Sequence, residues 1–165
     1  MKVIFLDIDG VLNSNFWTKD HQMEISDGEH IDLEKVKLLS HIVSKSEAKI
    51  ILHSGWRFWF DENLKPLRKE AEYLESVLEG QGLRIAGFTP DLTTEEIRKT
   101  KKFSKVKAEE ILAWINAHGD VESWVVLEDL DLHNEEVQKH QVKTDPEIGL
   151  TEDDVTKAVK LLNVG

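Results

Sequence analysis

A short apolar run at the start of the chain passes directly into two carboxylates and a glycine, in the stretch MKVIFLDIDG. Residues 2 to 6 are predicted to form a buried strand, because a continuous apolar run of this length is typical of a parallel sheet covered on both faces. Asp7, Asp9 and Gly10 follow where this strand ends. Ligands bind beyond the carboxyl ends of the strands in such sheets, so this junction constrains the fold and the function together.

Strand and helix patterns alternate along the rest of the chain. Short apolar runs predict four more strands, the last at a sheet edge, at 49–53, 83–88, 124–127 and 141–144. Apolar residues at helical spacing predict helices at about 33–46, 64–78, 108–115 and 152–162. Asp32 is placed to cap the first helix, and Thr151 with Asp154 resembles a capping box before the last. We therefore predict an α/β fold of three layers, with a Rossmann-like, mainly parallel sheet between helices joined by right-handed crossovers.

The composition excludes several classes of site and partner. The 165 residues fit one domain over 1–165, with 13–30 as a loop or small flap because that segment has no sustained periodicity. The absence of cysteine excludes disulfides, thiolate zinc sites and cysteine nucleophiles. No apolar stretch approaches about 18 residues and no export signal is present, so we expect no membrane contact and a cytoplasmic protein. The formal net charge of −11 repels polyanions, and nucleic-acid binding would need a local basic patch or a metal.

Polar residues follow three of the predicted strands and should meet at one edge of the sheet. The first strand brings Asp7 and Asp9, the second His53, Ser54 and Gly55, and the fourth Glu128 and Asp129. Each group taken alone is also what a turn after a strand contains. Together the carboxylates repel one another and need a cation, and hard oxygen ligands without a histidine or cysteine pattern favour Mg²⁺. We therefore predict that the four carboxylates form a Mg²⁺ site.

The first carboxylate is suited to nucleophilic catalysis on a phosphate ester. Asp7 is the predicted nucleophile, because a carboxylate beside Mg²⁺ can attack phosphorus and form an acyl phosphate. Asp9 is the predicted general acid, which protonates the leaving oxygen and later deprotonates water. Gly10 lets the chain turn closely enough for backbone N–H groups to face the phosphoryl oxygens, so we predict a substrate contact there.

At these residues the chain resembles the haloacid dehalogenase-like (HAD) phosphatase superfamily, whose first motif, DxDG, reads DIDGVLN here. The resemblance implies that Ser54, in ILHSGWR, binds the transferring phosphoryl group, with Gly55 beside it as a substrate contact, and that the acidic pair in VVLED completes the Mg²⁺ site. It also implies a cation that neutralises the phosphoryl charge. Lys107 matches that place, and the nearby Lys99, Lys101, Lys102 and Lys105 are alternatives to it, as His53 is to Ser54.

The resemblance extends to the HAD domain of Swiss Army knife RNA repair proteins and their stand-alone relatives. It is carried by DIDGVLN, SGWR, FTPDL at 88–92, KAEEILAWI at 107–115, VVLED, and VKTDPEIGLTEDDV at 142–155, over almost the whole chain. The segment between Asn13 and Asp32 is too short for the sizeable cap domain of many HAD enzymes, so we expect at most a minimal cap. An open cleft favours a bulky phosphorylated substrate, such as a nucleic-acid end or a protein, or closure by another subunit.

Arg57 is a further predicted substrate ligand. An arginine three residues after Ser54 can grip a phosphate with two parallel hydrogen bonds. A surface salt bridge with Asp61 or Glu62 is the structural alternative.

The leading hypothesis is a Mg²⁺-dependent phosphomonoesterase that works through an aspartyl-phosphate on Asp7 and acts on phosphorylated substrates, nucleic-acid termini among them. The first alternative is a phosphatase for small molecules such as nucleotides or sugars. The second is a non-catalytic Mg²⁺-binding regulatory module that retains the fold. The second is disfavoured because a binding module needs the metal carboxylates but not the acid–base aspartate.

Overall fold

The first strand of the chain lies in the middle of a parallel sheet. The computed structural model describes residues 1–14 and 31–164. Its strands are β1 Lys2–Leu6, β2 Lys49–Leu52, β3 Ile85–Phe88, β4 Ser123–Glu128 and β5 Gln141–Lys143. They lie in the order β3-β2-β1-β4-β5, and each neighbouring pair is parallel. The chain builds one half of the sheet outward from β1 and then crosses to build the other half.

Helices connect the strands, and two of their caps are those predicted. In chain order they are α1 Leu33–Ser46, a 3₁₀ helix at Gly55–Trp59, α2 Lys69–Glu79, α3 Glu95–Thr100, α4 Ser104–Ala117, α5 Glu135–Gln138 and α6 Glu152–Leu162. The Asp32 side chain accepts a hydrogen bond from the backbone N–H of Glu34 at the start of α1. Thr151 and Asp154 make both hydrogen bonds of a capping box before α6.

Apolar side chains alternate between the two faces of the sheet, and helices cover each face. In β1, Ile4 and Leu6 belong to the core that α1, α2 and α6 complete, whereas Val3 and Phe5 belong to the core that α4 and α5 complete. All four side chains are fully buried. The run is apolar throughout because neither face of the strand meets water. The predicted α/β fold of three layers with a parallel central sheet is confirmed.

The helix predicted over 64–78 begins only at Lys69. Leu64 has a left-handed φ of 66°, and Phe60 pairs with Pro66 in an isolated bridge. Leu67 is 64% exposed. The apolar residues that continued the helical spacing towards the N-terminus therefore belong to a loop, in which the N–H of Leu67 bonds to the carbonyl of Trp59.

Three short elements did not show in the sequence pattern. They are the 3₁₀ helix, α3 and α5, each too short to establish a periodicity. The third strand also starts later than predicted, at Ile85, because the N–H of Leu83 still bonds to the carbonyl of Leu78 at the end of α2. These differences leave the order of strands and longer helices as predicted.

The predicted flap at 13–30 falls mostly outside the described residues, which resume at Ile31. The described helices include none with the length and apolar character needed to cross a bilayer.

Candidate functional site

The carboxyl ends of β1, β2 and β4 meet at one edge of the sheet, where the two halves diverge from β1. Leu6 is level with Leu52 on one side and Leu127 on the other. The N–H of Asp7 donates to the carbonyl of Leu127 at 3.1 Å, and the N–H of His53 donates to the carbonyl of Leu6 at 2.8 Å. These bonds hold the three polar segments level with one another, at the place where open α/β sheets bind ligands.

A cleft of about 420 Å³ opens at this edge. The residues that line it are Asp7, Asp9, Gly10, Asn13, Ser54, Gly55, Lys107, Asp129, Leu130 and Pro146. All but three of these, Asn13, Leu130 and Pro146, were predicted from the sequence to belong to the site. Four separate parts of the chain therefore bring their polar groups to one cavity.

Three carboxylates at this edge of the sheet are close enough to share one cation, and two of them, Asp7 and Asp129, line the cleft. Asp7, Glu128 and Asp129 each place an oxygen within 4.8 Å of the others. Glu128 is fully buried and Asp7 is 6% exposed. The carboxylate of Asp9, the fourth predicted ligand, is not in this group of described residues. The structure thus brings together three of the four predicted metal ligands.

The charge of this group is not balanced by the protein. Burial, the hydrogen bond with Asp7 and the charge of Asp7 together raise the pKa of Glu128 to about 7. Burial and the hydrogen bond and charge of Glu128 raise the pKa of Asp129 to about 6. Burial also raises the pKa of Asp7, although a hydrogen bond with Glu128 opposes it. Raised pKa values at three adjacent carboxylates are expected where a cation could bind between them.

Lys107 lies near the N-terminus of α4 and forms an ion pair with one of these carboxylates. Its Nζ is 2.5 Å from Oε1 of Glu128, and its side chain is 18% exposed. Burial lowers the pKa of Lys107, but the charges of Asp7, Glu128 and Asp129 outweigh it and raise the pKa above its ordinary value. The ammonium therefore stays charged beside the cleft. Lys99, Lys101, Lys102 and Lys105 are exposed and do not line this cleft.

Asp9 faces the cleft from a different direction. Its side chain is exposed, and it accepts hydrogen bonds from Nδ2 of Asn13 at 3.0 Å and from Nε1 of Trp56 at 3.3 Å. These two donors hold the carboxylate apart from the three-carboxylate group. Neither Asn13 nor Trp56 was predicted to belong to the site, although Asn13 is four residues after Asp9 and within reach of a tight turn.

Both the backbone angle at position 10 and the atoms around it require a glycine. Its φ is +83°, and a Cβ atom there would lie 2.7 Å from Cγ of Asp129. Its N–H donates to Oδ1 of Asn13 at 2.9 Å, and its carbonyl accepts from Oγ1 of Thr144 at 2.7 Å. The predicted contact between this N–H and a phosphoryl oxygen thus competes with Asn13. The glycine instead lets the chain pass directly against the Asp129 carboxylate.

Ser54, rather than His53, reaches the cleft. The Oγ of Ser54 caps the 3₁₀ helix by accepting from the N–H of Trp56 at 3.1 Å, and Gly55 lies exposed at the mouth of the cleft. His53 is fully buried, and its Nδ1 is 3.0 Å from Oγ1 of Thr89. The backbone turns at the end of β2, so Ser54 lines the cavity, although it is almost fully buried, and the imidazole lies in the interior.

Arg57 is placed differently from either prediction made for it. Its guanidinium is buried and bonds to Glu110 at 2.9 Å, not to Asp61 or Glu62. It does not line the cleft. The predicted grip on a substrate phosphate is therefore replaced by an internal ion pair, which sequence separation concealed because Glu110 lies 53 residues further along the chain.

A family comparison accounts for this arrangement. Residues 3–155 match the model of a family described as the HAD domain in Swiss Army Knife RNA repair proteins. The chain belongs to this family. No curated protein and no solved structure matches the chain significantly.

Membership of this HAD family indicates phosphatase-type hydrolase activity, and HAD domains generally use Mg²⁺. The donor set of the site agrees with that metal, because Asp7, Glu128 and Asp129 offer only carboxylate oxygens. The resemblance inferred from the sequence is thereby confirmed.

Proposed function

We propose that this HAD domain is a Mg²⁺-dependent phosphomonoesterase that works through an aspartyl-phosphate on Asp7. The observation that carries the proposal is the placement of Asp7. Its carboxylate belongs to the three-carboxylate group, while the cleft beside it also holds Lys107, Ser54 and Asp9. A nucleophile, a cation, a hydroxyl donor and a second carboxylate are what phosphoryl transfer to a protein side chain requires.

Asp7, Glu128 and Asp129 would hold the metal. Mg²⁺ bound there would neutralise charge on the carboxylates and on the phosphoryl oxygens. The raised pKa values of Glu128 and Asp129 support this assignment, since without a cation these groups repel one another.

The covalent chemistry falls to the two aspartates of DIDG. An oxygen of Asp7 attacks phosphorus, and the bond between phosphorus and the leaving oxygen breaks as Asp9 gives that oxygen a proton. Asp9 then takes a proton from water, whose oxygen attacks the acyl phosphate and releases inorganic phosphate and the free Asp7 carboxylate. Asn13 and Trp56 orient Asp9 for both proton transfers.

Lys107 and Ser54 would hold the phosphoryl group. The Lys107 ammonium remains charged and partly exposed at the cleft. The Ser54 hydroxyl oxygen accepts from the N–H of Trp56, and its O–H can still rotate to donate to a phosphoryl oxygen in the cavity. Together they would stabilise the negative charge of the equatorial phosphoryl oxygens.

Hydrolysis of a generic aryl phosphate in the presence of Mg²⁺ tests the proposal. We expect turnover by the wild-type protein and none by Asp7→Asn, while Mg²⁺ binding measured by calorimetry is weakened but retained, because Glu128 and Asp129 remain. Asp131→Asn, an exposed aspartate outside the cleft, is the matched control and should keep full activity. Metal binding without turnover in the wild-type protein would favour the non-catalytic module instead.

Nucleic-acid termini are the substrate class that the surface charge supports best. The stretch RKTKKFSKVK at 98–107 has six basic and no acidic residues in a chain of net charge −11, and it runs into the cleft at Lys107. Lys99, Lys101, Lys102 and Lys105 are exposed, and none of them is in an ion pair within the described residues. Such a strip can neutralise backbone phosphates next to a terminal phosphate in the cleft.

Comparing phosphorylated oligonucleotides with mononucleotides tests this choice of substrate. We expect faster release from 3′- or 5′-phosphorylated oligonucleotides, with a rate that falls as salt rises. The combined variant Lys99→Gln, Lys101→Gln and Lys102→Gln should lose more activity on the oligonucleotide than on the aryl phosphate. Equal or faster turnover of mononucleotides would favour the small-molecule phosphatase.

A further inference from the structure

A buried ion pair directly behind the phosphate-binding side of the cleft has no part in the chemistry proposed above. Arg57 is 8% exposed and Glu110 is 2% exposed. Nη2 of Arg57 donates to Oε2 of Glu110 at 2.9 Å. The pair joins the 3₁₀ helix after β2 to the middle of α4, two elements that supply Ser54 and Lys107 to the cleft.

The guanidinium fixes the segment that carries Ser54. Nη1 of Arg57 donates to the carbonyl of Ser54 at 3.0 Å, and the backbone N–H of Arg57 donates to the same carbonyl at 3.0 Å. The Oγ of Ser54 accepts from Trp56. Both oxygens of Ser54 are thus held by residues that follow it, which sets the direction of the hydroxyl.

The same guanidinium fixes the loop after β3. Nε donates to the carbonyl of Thr89 at 3.2 Å and Nη2 approaches the carbonyl of Pro90 at 3.4 Å. Oγ1 of Thr89 bonds in turn to Nδ1 of the buried His53, the residue before Ser54. The segments that follow β2 and β3 are therefore linked twice, once through Arg57 and once through the hydrogen bond between Thr89 and His53.

Glu110 connects this network to Lys107. The two residues are three apart in α4, so their side chains lie on neighbouring positions of one helix face. Oε2 of Glu110 also accepts from the N–H of Leu92 at 3.0 Å. A shift of α4 that moved Lys107 relative to Ser54 would have to break the contacts of Glu110 with both Arg57 and Leu92.

We propose that the Arg57–Glu110 pair consists of positioning residues that set the distance and direction between Ser54 and Lys107, and thereby the affinity of the cleft for a phosphoryl group. The proposal rests on the proposed function, since it assigns Ser54 and Lys107 to phosphate. Replacing a buried ion pair with apolar residues is often neutral or stabilising, so stability alone is a weak reason to bury one. The planar guanidinium makes several directional hydrogen bonds, so it fixes the orientation of the Ser54 segment relative to α4 as well as the distance between them, which an apolar contact cannot do.

The deciding variants separate positioning from folding. Arg57→Lys keeps the charge and loses the forked geometry. The double variant Arg57→Met with Glu110→Leu removes both charges together and is expected to stay folded. Arg68→Lys, a change in an exposed arginine that pairs with Glu70 outside the cleft, is the matched control. Urea unfolding of each variant shows that the comparison is made between folded proteins.

Two measurements then report on position. We expect the affinity for inorganic phosphate, titrated by calorimetry with Mg²⁺ present, to fall about 10- to 100-fold in both pair variants, the range found when the outer partners of site residues are removed. The control variant should bind phosphate as the wild-type protein does. Folded pair variants that bind phosphate with wild-type affinity would overturn the proposal.

A double-mutant cycle with Ser54 provides the second measurement. If Arg57 acts through Ser54, then Ser54→Ala should cost much less phosphate affinity in the Arg57→Lys background than in the wild-type protein. Full additivity of the two losses would contradict the positioning role. Because the readout is binding, it decides this proposal even if Asp7→Asn shows that the chemistry differs from that proposed.

Discussion

Two ion pairs on the same face of α4 have opposite characters. Lys107 and Glu110 are three residues apart, and each pairs with a partner from another element, Glu128 and Arg57 respectively. The Arg57–Glu110 pair is one cation and one anion, almost completely buried, and its further hydrogen bonds join backbone groups of Ser54, Thr89 and Leu92. The Lys107–Glu128 pair belongs to a group of one cation and three carboxylates, in which Lys107, Asp7 and Asp129 line a cleft and Glu128 is fully buried.

The difference shows how charge balance distinguishes a structural ion pair from an ion pair in a binding site. A closed pair of equal and opposite charges offers nothing to a ligand. Lys107 cannot balance Asp7, Glu128 and Asp129 together. Burial raises the pKa of these three carboxylates and also that of Glu110, but the three share Lys107 whereas Glu110 has Arg57 as its own partner. The unbalanced pair is thus the one that a metal ion and a phosphate can complete.

Breaking the closed pair should have the largest effect on stability. Glu110→Ala leaves the Arg57 charge buried without its partner, which typically costs about 3–5 kcal/mol of the free energy of unfolding. Urea unfolding measures this loss. Glu109→Ala, an exposed neighbour in the same helix, should change stability by no more than about 0.5 kcal/mol. Equal effects of the two changes would mean that the pair is not stabilised by burial and bonding as described.

Breaking the unbalanced pair should affect activity more than stability. Lys107→Met removes the cation at the cleft, and we expect kcat for an aryl phosphate to fall about 10²- to 10³-fold, as when one charge-stabilising donor is removed. Lys105→Met, an exposed lysine two residues earlier, is the control and should keep most activity. The opposite result would identify Lys105 as the phosphate-neutralising cation.

The comparison between the two pairs depends on contacts that the sequence does not display. The residues at strand ends were predictable, because apolar runs such as VIFL and WVVL end where the carboxylates begin. The partner of Arg57 was not, because two acidic residues close in sequence competed with one 53 residues away. Asn13 and Trp56 were missed for a related reason, since a neutral side chain acquires its role only when the fold brings it to Asp9.

The pH dependence of stability and of Mg²⁺ binding tests whether the carboxylates around Lys107 carry an excess of negative charge. Without metal, Glu128 has its pKa raised from 4.5 to about 7, so the folded state holds its proton more tightly than the unfolded state does. The resulting contribution to the free energy of unfolding is fully present below pH 4.5 and is lost as pH rises through about 7, and it amounts to about 3 kcal/mol. Thermal unfolding with EDTA and with Mg²⁺ measures it.

We expect Mg²⁺ to raise Tm more at pH 8 than at pH 5.5, because the carboxylates must lose their protons to bind it. Glu152→Gln, in the first turn of α6 and exposed, is the control and should leave this difference unchanged. A Mg²⁺ effect of the same size at both pH values would argue against the unbalanced carboxylate group.

The smallest expected effect comes from moving one carboxylate without changing any charge. Gly10→Ala places a methyl group 2.7 Å from Cγ of Asp129, and it puts alanine at a φ of +83°, which costs about 1–2 kcal/mol. Gly82→Ala is the matched control, because Gly82 has a φ of +73° and no atom within 4 Å of the added Cβ. Both variants should therefore lose stability in urea from the strained φ, and Gly10→Ala should lose more because its Cβ also clashes with Asp129. Only Gly10→Ala should also weaken Mg²⁺ binding by calorimetry, since Asp129 must leave the three-carboxylate group to make room. Equal Mg²⁺ affinity in the two variants would show that Asp129 is not a ligand. The group around Lys107 would then offer a metal ion one carboxylate fewer, and its excess of negative charge over the Arg57–Glu110 pair would matter less for binding.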